Sequence, residues 1–126
     1  MTQQDLIYAY TRVQAIADGE QIDVTKTAKE VGIRFPVFLT RGVFNSYVAV
    51  PPGVVGQDEA GRLWDIVWMC RHAITKAQTG SQRIGFHLYV RNDNRSPSMR
   101  QLIAECGPLD MNDPQAAITI MMPGEE

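Results

Sequence analysis

QDEAGRLWDIVWMCRHAITKAQ, residues 57–78, is the stretch whose reading decides the fold. Ala60, Leu63, Ile66, Val67, Cys70, Ile74 and Ala77 recur at helical spacing and fall on one face. Asp58 and Glu59 stand in the first turn and Lys76 in the last, as the helix macrodipole favours. The spacing predicts a long helix from about Gln57 to Gln78, able to cross a sheet of several strands.

Downstream of Thr79 and Gly80 the period changes to two. Ile84, Phe86, Leu88 and Val90 share one face of a strand, and Gly85, His87, Tyr89 and Arg91 the other. A polar turn segment with Pro97 follows. Further strands are expected over about Arg100 to Cys106 and Ala116 to Met122. Three strands with short connections are most economically an antiparallel meander, with the long helix on its apolar face.

Upstream the pattern is helical and broken. Leu6 to Tyr10 reads as a short strand. Thr11 and Gln14 form a capping box for a helix over about Arg12 to Asp18, closed by Gly19. Residues 21–24 alternate polar and apolar, as a brief strand would. Thr25 is a candidate N-cap for a helix to Val31, with Gly32 ending it. Pro36 opens a third expected helix to about Tyr47, on the strength of Leu39, Val43 and Tyr47 at spacing four. Gly42 inside it costs about 1 kcal/mol against Ala. The fold class expected is α+β: a helical N-terminal half and one long helix packed on a C-terminal antiparallel sheet of about three to five strands, in a single domain over residues 1–126.

Composition narrows function by exclusion. At 126 residues with 44% apolar and 21% charged residues, the chain suits one globular domain. A net charge of −2 gives no global electrostatic case for nucleic acid or an anionic membrane. Two cysteines in no zinc spacing point to a reducing cytoplasm. The N-terminus lacks a signal-peptide pattern, and no apolar run is long enough to span a bilayer.

The candidate chemical groups are few. Cys70 points into the apolar stripe while His72 lies about 200° further round the helix, so the two cannot close on one metal ion. A Cys106–His87 nucleophile pair needs both on one sheet face, and Glu105 beside Cys106 would raise the thiol's pKa. Neither phosphate-binding glycine pattern is present. The chain thus suggests no catalytic residue, metal or cofactor.

Trp64 and Trp68 lie about 100° and 140° from Leu63 round the helix. The simplest expectation is a wider core, with the N-terminal helices covering both rings. The other is a protein-binding patch of Trp68, Arg71 and His72, a composition that interfaces favour. Arg91, Arg95 and Arg100 bracket the polar loop Asn92 to Ser98, and are the second group assigned to partner contact. Ordinary solvated charge is the plainer expectation for them.

LIYAYTRVQAIADG (6–19), Ile22 to Val24, QDEAGRLWD (57–65) and ITIMMP (118–123) resemble a family of small uncharacterised bacterial proteins carried on plasmids, integrative elements and phages. The similarity spans nearly the whole chain. It implies an accessory protein of a mobile element, and by association one that binds a protein partner such as a host-defence complex. Two alternatives stand beside it. One is a small ADP-ribosyltransferase-like enzyme with a cleft near Tyr8, Tyr10, Arg12 and His87, although the Glu-x-Glu and Ser-Thr-Ser motifs of that family are missing. The other is a weak nucleic-acid binder using the arginine loop.

Overall fold

The computed structural model describes residues 10–125. In chain order it contains α1 (Arg12–Ala17), β1 (Gln21–Asp23), α2 (Thr25–Glu30), β2 (Val37–Thr40), α3 (Arg41–Val43) running into a π-helical turn (Phe44–Val48), α4 (Glu59–Lys76), β3 (Arg83–Val90), β4 (Ser98–Asp110) and β5 (Asp113–Met121). The five strands form one mixed sheet in the order β1-β2-β5-β4-β3.

The long helix and the meander stand where the periodicities place them, but β4 runs through Gly107 and Pro108, where a turn is expected, and β5 begins at Asp113 rather than near Ala116. The Asp58 side chain caps α4 by accepting from Gly61 N–H at 2.6 Å. β3, β4 and β5 pair antiparallel in succession. Phe86, Leu88 and Val90 face the core, whereas Gly85, His87 and Tyr89 face out. On the inner side, Ile66, Val67 and Cys70 of α4 meet Leu39, Leu102, Ala104 and Ile120 of the sheet, with Ala28 of α2 and Val43 of α3 closing the same cluster.

The N-terminal half departs from expectation. Its helices are short, and it contributes two strands. The helix expected over residues 36–47 is instead strand β2 followed by α3. β2 pairs antiparallel with β1 and parallel with β5, so the sheet is mixed rather than wholly antiparallel. Val37, Phe38 and Leu39 are all buried. A strand covered on both faces shows no alternation, and four residues are too few to betray a period. Thr40 then caps α3 by accepting from Val43 N–H. Gly42, a weakness in a long helix, sits where a Cβ would come 3.2 Å from the Glu125 carboxylate.

Thr25 is the first helical residue of α2 rather than its N-cap, which is Val24. The Asp23 carboxylate accepts from Thr25 N–H. That leaves the Thr25 hydroxyl free to accept from Val37 N–H at 3.1 Å and tie α2 to β2. The capping box at Thr11 is formed as expected. The strand expected from Leu6 to Tyr10 lies outside the described residues except for Tyr10, which is not in a strand.

α1 crosses the outer side of the sheet. Its Arg12 guanidinium lies 4.2 Å from the Phe38 ring centroid. The same group donates to Leu109 O, Gln21 Oε1 and Thr119 Oγ1. The Asp110 carboxylate answers from the sheet by accepting the N–H groups of Arg12 and Val13.

Candidate functional site

The tryptophans settle on the surface. Placing α4 on the sheet through Ile66, Val67 and Cys70 sends residues 64, 68 and 75 to its opposite crest, about 160–180° from Ile66. Trp64 and Trp68 are each 39% exposed. Their rings stack on one another, centroids 5.1 Å apart and planes 11° from parallel. The wider core that would have covered them is therefore not formed: α2 is six residues long, and the segment after it lies to one side of the crest, alongside Arg71 and Ile74.

Arg71 and His72 extend this aromatic ridge. The Arg71 guanidinium carbon lies 5.8 Å from the Trp68 ring centroid, on its face. The His72 ring centroid is 6.4 Å from that of Trp68. Arg71 also lines a cleft of about 220 Å³ with Arg34, Phe35, Ile74 and Thr75. Phe35 is exposed as well. At Gly32, φ is +95° and a Cβ would come 3.0 Å from Arg71 Nε. Glycine there lets the α2 exit loop take a left-handed turn while the arginine packs across it.

The arginine loop does not form one group. Arg91 is held inward: its guanidinium donates to Val55 O, Asp93 O and Asn94 Oδ1. Arg95 is exposed in the loop, and Arg100 is exposed on β4 opposite Leu88. No ring, ion-pair or hydrogen-bond contact among the described residues joins these three to one another or to the tryptophan ridge.

The catalytic alternatives find no common site. His87 lies on the outer face opposite Gln101, while Cys106 lies on the core side opposite Ile118, so the proposed pair is split between faces. Burial, then the Glu105 charge, raises the Cys106 pKa. Burial pushes the Cys70 thiol up to about 12, leaving it a core side chain rather than a nucleophile. Among the described residues no cluster of three or more His, Cys, Asp or Glu could hold a metal. Tyr8 lies outside the described residues, and the Tyr10 hydroxyl donates to Asp18. An apolar cleft of about 420 Å³ under α1 includes Arg12 but neither Tyr10 nor His87.

One organising residue escapes a sequence reading altogether. Arg62 is 6% exposed. Its guanidinium donates to Tyr47 O, Gln57 Oε1, Arg91 O and Asn92 Oδ1. Burial lowers its pKa. Asn92 in turn donates to Ser46 O. Together the two side chains satisfy carbonyls left open at the end of the π-helical turn, and they clamp that turn, α4 and the end of β3 together. The signal available in sequence is its place four residues before Ile66, on the apolar stripe.

The architecture defines a small α+β protein with an aromatic–cationic ridge on its longest helix. Its chain belongs to a family of unknown function, DUF6573, whose match covers residues 1–126. No curated protein and no solved structure matches it. Among the described residues no helix is long and apolar enough to cross a membrane.

Proposed function

We propose that this chain is a non-enzymatic binding protein that acts by occupying the surface of a protein partner, through the crest of α4. The observation that carries the reading is the stacked, solvent-facing Trp64–Trp68 pair with Arg71 on the face of Trp68. Large aromatic rings left in water on the outer side of a helix lose apolar burial that almost any core position would supply. Tryptophan and arginine dominate the energetic centres of protein interfaces. Phe35 and Arg34 extend the patch with the same chemistry. Resemblance to accessory proteins of mobile elements supplies the setting: the partner is a host or element-encoded complex, and blocking a defence complex fits a protein with a binding ridge and no chemistry of its own.

The test is photo-crosslinking in host lysate from a probe at Thr75, which shares the crest. The double substitution Trp64→Ala/Trp68→Ala should abolish the crosslinked species while circular dichroism and the melting curve stay near wild type. A folded double variant that captures the same species as wild type would refute the reading.

A further inference from the structure

Beyond that reading, we propose that two copies of this chain pair edge to edge through β3, joining their sheets about a twofold axis centred on Phe86. The observations start from the strand itself. β3 is the outermost strand on its side of the sheet, with no described strand beyond it. The N–H of Cys106 donates to Gln82 O at 2.7 Å, which fixes the phase of the β3–β4 ladder. Even-numbered residues of β3 turn their backbone groups to β4, and Arg83, Gly85, His87 and Tyr89 turn theirs to the open edge. Natural edges are blunted by brevity, proline, bulges or inward charge. The opposite edge, β1, is three residues long. β3 is eight residues in unbroken register, with an apolar inner row and neither proline nor bulge.

The occupant follows from self-complementarity. Antiparallel pairing about Phe86 sets Arg83 opposite Tyr89 of the second copy and Gly85 opposite its His87. The Arg83 stem then lies beside that ring while its guanidinium keeps its 2.7 Å ion pair with Glu105, and no like charges oppose. Shifting the centre to His87 would set Arg83 against Arg91 and His87 against itself.

The placement of α4 is compatible with the same axis. The groove between α4 and β3, about 470 Å³, brings Met69, His72 and Lys76 beside Ile84 and Phe86. A neighbouring cleft brings Asp65 beside Leu88 and Tyr89. The helix therefore runs antiparallel to the strand, and the span from Asp65 to Lys76 matches that from Tyr89 to Ile84, about 16 Å each. A twofold at Phe86 places Asp65 against Lys76 of the second copy and Met69 against its His72. Opposite charges meet at both ends of the helix seam, and the groove is filled from across the axis. The symmetry is closed, so assembly stops at two.

Sedimentation velocity of the full chain over a wide concentration range tests this. The wild type should be a monomer–dimer equilibrium with no larger species. Lys76→Asp should raise the dissociation constant about tenfold or more by opposing Asp65 with like charge. Adding Asp65→Lys to it should restore wild-type affinity. His87→Pro, which removes an N–H aimed at the open edge, should also weaken the dimer while the monomer keeps its circular dichroism. A wild type that stays monomeric, a dimer indifferent to Lys76→Asp, or a charge swap that fails to restore it would overturn the proposal. The substituted residues, Asp65, Lys76 and His87, are not members of the Trp64–Trp68 stack, so loss of the dimer and loss of partner capture are separable.

Discussion

Arg62 shows how one side chain can govern a junction. It has no carboxylate partner among the described residues; all four of its acceptors are neutral, two of them backbone carbonyls. Each buried acceptor stripped of its donor costs about 1–3 kcal/mol. Arg62→Met keeps the apolar stem but leaves Tyr47 O and Arg91 O unsatisfied. It should lower stability by about 3 kcal/mol in urea unfolding. A loss below about 1 kcal/mol would mean that water replaces the guanidinium without penalty. Position puts Arg62 on the apolar stripe of α4, four residues before Ile66, yet the stripe read from sequence leaves it out. Its charge concealed it, because arginine is rarely buried without a pairing that sequence spacing cannot display.

At the scale of elements, local chemistry sets the ends and long-range pairing sets the type. The start of α4 rests on Asp58, expected in the first turn but found as the N-cap that accepts from Gly61 N–H, with Glu59 in the first turn behind it. Asp58→Ala should cost about 1 kcal/mol, read as a shift in the denaturation midpoint with unchanged slope. β2 is the contrary case. Leu39, Val43 and Tyr47 mimic a helical stripe, yet Leu39 belongs to a strand and Val43 to the helix after it. What makes residues 37–40 extended is the ladder they complete between β1 and β5, eighty residues apart in sequence for the latter. The stripe was real as burial and wrong as geometry: Leu39 and Val43 are buried and Tyr47 packs half-buried against the same core.

For the molecule as a whole, α1 is the element that covers part of the outer sheet face, and its docking is electrostatic as well as apolar. N–H groups from Met111, Arg12 and Val13 hold the Asp110 carboxyl below the usual carboxylate range. The folded chain therefore binds fewer protons there than the unfolded chain. The sign is fixed: this stabilisation is complete above the unfolded carboxylate value, about 3.9, and is lost as pH falls through the lower folded value. Unfolding free energy followed from neutral pH downward should decline in that acid window. Asp110→Asn should reduce the decline, and an identical acid profile in the two proteins would exclude the linkage.

Sequence alone determined the elements whose period is written in consecutive residues: α4, the paired strands β3 to β5 and the capping box of α1. Each is dictated by which neighbours along the chain share a face, and that information is local. Only the tertiary structure decided that the sheet is mixed, that Arg62 is enclosed, and that Trp64 and Trp68 remain in water. Those depend on what arrives from elsewhere in the chain to cover a surface. A helix announces the angle at which a side chain leaves it, but whether that direction ends in core or solvent is set by the length and placement of the elements packed beside it.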